Sequence, residues 1–150
     1  MTDAAGTGTI LVANPDNDAR EVLARVVETA GFSAVRVASA AEVAQVTDTK
    51  GGADTESGAG GNGLAGAVVD LGADNLAVLE ALRNGEHGDA ARVVVLGTGP
   101  ANGRLALGAG ADGYLVRPFH AHDLQAALTD ALARPEVERA PWRTEAAAAL

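Results

Sequence analysis

Ala65-Gly66-Ala67-Val68-Val69-Asp70-Leu71 is a short apolar run that closes on a single carboxylate. It is too short and too closely flanked by glycine for a core helix, and it is rich in branched residues. The segment therefore predicts a strand buried on both faces. Asp70 then stands at the carboxyl end of that strand. In an open parallel α/β sheet this end borders the crevice where ligands bind, which makes Asp70 a candidate functional residue. The plainer alternative is an ordinary Asp leaving a strand for a turn.

Working outward, the same alternation recurs on both sides. Thr9 to Ala13 is an apolar run that stops at the turn cluster Asn14-Pro15-Asp16. Ala19, Val22, Leu23, Val26 and Val27 follow at helical spacing up to Gly31. Ser33 to Val37 reads as a second strand, and Ser39-Ala40-Ala41-Glu42 fits a capping box that opens a second helix to about Val46. Beyond Asp70, Leu76, Val78, Leu79 and Leu82 mark a third helix, which Asp74 or Asn75 can cap. Ala91 to Leu96 is a fourth strand, Ala101 to Gly108 a short helix, and Tyr114 to Val116 a fifth strand ending at Arg117-Pro118. Leu124, Ala127, Leu128, Ala131 and Leu132 form the apolar stripe of a last helix. Five strand-helix alternations with right-handed crossovers predict an α/β, doubly wound fold with helices on both faces of a parallel sheet.

The chain of 150 residues suits one domain. Residues 1–8 are expected to be a disordered N-terminus, 9–133 the folded domain, and 134–150 a C-terminal tail. Within the domain, the Gly-rich polar segment 47–63 reads as a flexible insertion, because it has too little apolar surface to offset its ordering entropy. The tail carries Pro135, Pro141 and the single Trp, Trp142. It reads as a linker, with a docking segment anchored by Trp142 as the alternative.

A net charge of -9 with no Lys/Arg cluster argues against nucleic-acid binding. The absence of cysteine excludes disulfides and thiolate metal sites. No apolar run approaches a membrane span and no basic leader precedes one, so the expected location is cytoplasmic, with no membrane partner. His87 falls in a loop, and His120 and His122, separated by one residue, lack the four-residue spacing of a helical metal pair. His120 is expected at the cap of the last helix. There is no Gly-x-Ser-x-Gly elbow and no Walker lysine, and Gly108 to Gly113 precedes a strand, unlike a dinucleotide fingerprint. An enzyme is not expected.

Taken together, Ile10-Leu11-Val12, Asp18 to Leu23, Ala30-Gly31-Phe32, Ala38 to Glu42, Val68-Val69-Asp70 and Gly108 to Phe119 resemble the receiver domain of bacterial response regulators, the CheY-like family. The Gly-Ala turn, aromatic-bearing strand, basic residue and Pro-Phe of the last block carry most of the likeness. The resemblance covers about Thr9 to Ala133 and implies a flavodoxin-like (βα)5 fold with a five-stranded parallel sheet, order 2-1-3-4-5. It also implies that Asp70 is the phosphoacceptor position, assisted by a divalent cation such as Mg2+.

The same resemblance exposes departures. The acidic-pocket positions fall on Asn14 and Pro15, with Asp16 next in line, so a cation site would rest on Asp70 and Asp16. The hydroxyl switch position falls on Gly97, with Thr98 beside it, and the aromatic switch on Tyr114. The Lys before Pro is Arg117, whose planar fork suits a carboxylate, so an Asp70 to Arg117 ion pair is expected. The loop Gly72 to Asn75 is about three residues shorter than usual in the family. These departures favour an atypical, stand-alone receiver without a resident cofactor, acting through protein-protein interaction with phosphorylation at Asp70 weak or absent. Its expected partners are a histidine kinase or an effector protein, with a homodimer through the fourth helix, fifth strand and last helix. The alternatives are a Mg2+-dependent phosphoacceptor of a two-component phosphorelay and a small-molecule-sensing pseudo-receiver.

Overall fold

The computed structural model describes residues 8–43, 65–84 and 91–150. The insertion 47–63, the end of the second helix toward Val46, His87 and residues 1–7 lie outside the described residues. The elements run β1 (Thr9–Ala13), α1 (Asn17–Thr29), β2 (Ser33–Val37), the opening of α2 (residues 40–43), β3 (Gly66–Val69), a 3-10 turn (Gly72–Asp74), α3 (Asn75–Asn84), β4 (Arg92–Gly97), α4 (Pro100–Gly108), β5 (Gly113–Val116), α5 (Ala121–Ala133) and α6 (Glu136–Ala149). The five strands form one parallel sheet in the order β2-β1-β3-β4-β5.

Alternate residues of each central strand enter different cores, which is why the strands read as unbroken apolar runs. Leu11, Ala13, Ala67, Val69, Val93 and Val95 pack with Val78, Leu79 and Leu82 of α3 and Ala106 and Leu107 of α4. Ile10, Val12, Val68, Val94 and Leu96 pack on the opposite face with Leu23, Ala24 and Val27 of α1 and Leu124, Leu128 and Ala131 of α5.

Side chains satisfy the exposed ends of the helices. Asp16 accepts from the Ala19 N–H at 2.8 Å and caps α1, while Gly31, at φ 105°, supplies the left-handed exit. Ser39 Oγ accepts from the Glu42 N–H at 3.2 Å, and the Glu42 carboxylate accepts from the Ala38 N–H at 2.7 Å. His120 stands at the N-cap of α5, where the Asp123 carboxylate accepts from its N–H. Arg92 donates to the carbonyls of Ala131 and Arg134 at the end of α5. On the edge strand β2, the Arg36 fork donates to Glu21 at 2.9 and 3.0 Å and to Glu28 at 3.3 Å, and the hydrogen bond holds the Glu21 carboxyl below its ordinary pKa.

The C-terminal segment departs from the linker expectation, because Glu136–Ala149 is a helix packed against α4. Pro141 removes one backbone donor from it, and tertiary anchors offset that loss. Trp142, Ala146 and Ala147 join the α3/α4 core, and the Arg134 guanidinium lies 3.8 Å from the Trp142 ring centroid. The principal anchor is Asp112, 1% exposed, which the 2% exposed Arg139 meets with two hydrogen bonds of 2.9 and 3.1 Å. Arg143 adds a third bond at 3.2 Å, and the Val93 N–H donates at 3.0 Å. Burial opposes ionisation of Asp112, but the Arg139 hydrogen bonds, the Val93 N–H and the two guanidinium charges outweigh it and hold its carboxyl below the usual range.

A carboxyl whose folded pKa lies below its unfolded value of 3.8 contributes stability above that value and loses it as pH falls through the folded pKa. Acid titration followed by Trp142 fluorescence should therefore show α6 undocking only below about pH 4, near the unfolded carboxyl range. Asp112→Ala, which strands the Arg139 charge in the core, should lower unfolding stability at pH 7 by about 3–5 kcal/mol in urea denaturation.

Candidate functional site

The parallel register brings two strand ends together. Ala13 of β1 pairs with Val69 of β3, so the next residues, Asn14 and Asp70, emerge side by side. Their backbones remain tied to the sheet: Asn14 N–H donates to the Val37 carbonyl and Asp70 N–H to the Ala13 carbonyl. Asp70 is 7% exposed and Asn14 5%. A carboxylate buried to that degree requires partners.

Two side chains supply them. Asn14 Nδ2 donates to Asp70 Oδ2 at 2.8 Å, and Arg117 Nη1 donates to both carboxylate oxygens at 2.5 Å. Arg117 reaches the site from the loop after β5, where its N–H donates to the Gly97 carbonyl at 2.9 Å and a cis peptide bond leads to Pro118. The Arg117 side chain is 41% exposed, so the pair joins a buried acid to a half-exposed base.

The remaining acidic-pocket residues serve the backbone. Asn14 Oδ1 accepts from the Asp16 N–H at 2.7 Å, its carbonyl accepts from Arg20 at 2.9 Å, and Arg20 also donates to Asn17 Oδ1. Asp16, expected as a second cation ligand, instead caps α1, and Pro15 is exposed. The short loop after β3 is held by Asn75, whose Oδ1 accepts from the Leu71 N–H at 2.8 Å and whose Nδ2 donates to the Leu96 carbonyl at 3.3 Å. Asn75 is thus the buried first residue of α3, tying β3 to β4. Beside Asp70 lies an open cleft of about 630 Å³ whose lining includes Asn14, Asp16 and Arg117 and the apolar Val22, Leu23 and Phe119.

The residues that the family resemblance puts at the switch positions form a second cluster one strand away. Tyr114 donates its hydroxyl to the Gly99 carbonyl at 2.6 Å and accepts from the Gly99 N–H at 3.3 Å. A Cβ at Gly97 would overlap the Tyr114 hydroxyl and lie 2.9 Å from a ring carbon, so the absent side chain makes room for the ring. A Cβ at Gly103 of α4 would meet the other ring edge at 2.5 Å. Thr98, the neighbouring hydroxyl, is exposed and accepts from Asn102 at 3.5 Å.

The assembled fold matches solved structures across most of its length. A protein assigned as a response regulator from Chloroflexus aurantiacus superposes with a TM-score of 0.68 at 21% identity, covering 85% of this chain and 99% of that one. The receiver domain of a sensor histidine kinase from Pseudomonas aeruginosa, which holds a magnesium ion in its active-site cleft, gives 0.67 at 18% identity over 85% and 99%. A protein assigned as pilus assembly-related from Burkholderia pseudomallei gives 0.65 at 26% identity over 89% and 95%. The chain has the receiver-domain fold. No protein-family model and no curated protein matches its sequence.

On this receiver fold, Asp70 stands at the end of β3, where the family resemblance puts the phosphoacceptor. A divalent cation there would need several free oxygen donors around Asp70. Both Asp70 oxygens are engaged by Arg117, Asn14 Oδ1 is held by a backbone N–H, and Asp16 caps a helix. The donor set does not fit a hard cation. Among the described residues no group of three His, Cys, Asp or Glu side chains is arranged to hold a metal ion. The face of α4, β5 and α5 that the resemblance assigns to partners is covered on its α4 side by α6.

Strand position singled out Asp70 and the family resemblance Asn14 and Arg117; Asn75 was expected only as a helix cap, and Gly103, Asp112 and Arg139 were given no such role. Gly103 inside a helical segment was the available signal, since a helix glycine often marks a close approach. Gly97→Ala should destabilise the fold by about 1–3 kcal/mol through overpacking against Tyr114. The cost should shrink in the Gly97→Ala/Tyr114→Ala double variant relative to the sum of the single changes, measured by a double-mutant cycle in urea.

Proposed function

We propose that this chain is an atypical receiver-type signalling module, non-catalytic and cytoplasmic, which acts by binding a protein partner while Asp70 is phosphorylated weakly or not at all. The observation that carries this reading is the Arg117 to Asp70 ion pair, with Asn14 on the same carboxylate. In a receiver site a cation offsets the repulsion between an incoming phosphoryl group and the acceptor carboxylate. Here the guanidinium already compensates the charge, and both carboxylate oxygens carry donors. Attack by Asp70 requires Arg117 to withdraw first. The pair therefore favours a constitutive conformation that a partner, such as a histidine kinase or an effector, reads directly. A homodimer through α4, β5 and α5 would require α6 to leave α4. No helix among the described residues is long and apolar enough to cross a membrane.

A second reading draws on the cleft beside Asp70. Its apolar wall of Val22, Leu23 and Phe119 suits a small amphipathic ligand, as in a sensing pseudo-receiver. A phosphoacceptor using Asp16 and Asp70 for Mg2+ would have to uncap α1.

Backbone amide NMR during titration with Mg2+ and beryllofluoride tests the reading. The wild-type Asp70 and Asn14 amides should stay fixed at millimolar Mg2+, whereas Asn14→Asp/Arg117→Lys should show saturable shifts that vanish on adding Asp70→Ala. Saturable shifts in the wild type would overturn the reading in favour of the phosphoacceptor.

A further inference from the structure

A continuous series of contacts leads from the last residue of the chain to Asp70. At Gly103 of α4, the site of a Cβ lies 2.6 Å from Leu150 Cδ1 and 2.5 Å from two Tyr114 ring carbons. Leu150, at the end of α6, and the Tyr114 ring therefore both lie over the same helix position, which has no side chain. The other edge of the ring lies over Gly97, and its hydroxyl is bonded to both backbone polar groups of Gly99. The Gly97 carbonyl accepts from the Arg117 N–H at 2.9 Å, and the Arg117 guanidinium holds Asp70.

We propose that α6 is an effector arm built into the chain: docked on α4, it retains Tyr114 against Gly97 to Gly99 and so positions the Arg117 backbone from which the Asp70 ion pair is made. Tyr114 and Leu150 are positioning residues, acting through Arg117. The proposal rests on this geometry and holds whether or not Asp70 accepts a phosphoryl group.

The second state the proposal needs is an undocked α6. A 14-residue helix is marginal alone in water, and this one contains Pro141 and carries an 80% exposed Val137. Its polar hold is concentrated on Asp112, and only Arg134 and Pro135 join it to α5. An element so attached opens as a unit at lower free energy than the sheet. Release removes Leu150 from Tyr114, and the ring then has a route out of the space that Gly97 and Gly103 leave for it. Any ligand or partner that prefers one state of α6 must then shift the state of the Asp70 site, and the converse holds by linkage.

The test uses the full-length chain, in which Trp142 is the single tryptophan and reports α6 docking. Arg139→Gln releases the arm at its buried anchor. Leu150→Asp, at a 38% exposed terminal residue, acts only at the Tyr114 end and decides the question if Arg139→Gln unfolds the chain. Leu150→Asp should shift the amide resonances of Gly99, Arg117 and Asp70 in 1H–15N spectra while leaving Val27, on the opposite face, in place. Arg139→Gln should do the same with a red shift of Trp142 emission. In the reverse direction, Asp70→Asn should red-shift Trp142 emission. Unmoved Arg117 and Asp70 amides in Leu150→Asp, or a released α6 with the same amides unmoved, would overturn the proposal.

Discussion

Burial of the sheet on both faces is the constraint from which the other features follow. Strands β1, β3 and β4 send side chains into two separate cores, so no polar group can sit along their length without losing its hydration. Polar chemistry is confined to the strand ends. At one end Asn14 and Asp70 emerge together and Arg117 closes over them. At the other, Asp112 receives Arg139 and Arg143. The two carboxylates are both buried and both have guanidinium partners, but the partner side chains differ in exposure. Arg139 is sealed in, whereas Arg117 retains contact with water, so its withdrawal would leave Asp70 with only the neutral Asn14 donor.

That asymmetry separates an ion pair sealed within the fold from one that faces an open cleft. Asp112 contributes by holding α6 on the domain, and its partners are satisfied within the fold. Asp70 has a neutral donor in Asn14 and a partly exposed cation in Arg117, and the adjacent cleft leaves room beside them. Tyr114 lies between the two ends, and the two glycines that make space for its ring lie on β4 and α4.

The architecture was legible because binary burial writes itself into unbroken apolar strands and 3.6-periodic helices. Val68-Val69-Asp70 and Val93 to Leu96 could hardly be read otherwise. The positions of Asn14 and Arg117 beside Asp70 were accessible only through the family resemblance, and the parallel sheet brings the carboxyl ends of β1, β3 and β5 to one side. The C-terminal helix was not legible, since Pro135 and Pro141 are break signals by local rules and its anchor, Asp112, lies 27 residues before Arg139. Asn75 was assigned to helix capping, whereas it bridges two strand ends, a role that depends on tertiary proximity to Leu96. Gly97 was read as a missing hydroxyl, but packing adds a second meaning, because the ring of Tyr114 occupies the space a side chain would take.

The Arg36 fork on β2 has a bearing on how copies of the protein behave toward one another. β2 is a five-residue edge strand with part of its surface exposed, and an open edge of this kind is a template on which another chain can add a strand. Arg36 is clasped by Glu21 and Glu28 of α1, so three charged groups would have to be dehydrated or displaced before a neighbouring backbone could pair there. With a net charge of -9 adding long-range repulsion between copies, the margin of the sheet is protected against aggregation by the same side chains that fasten α1 to it.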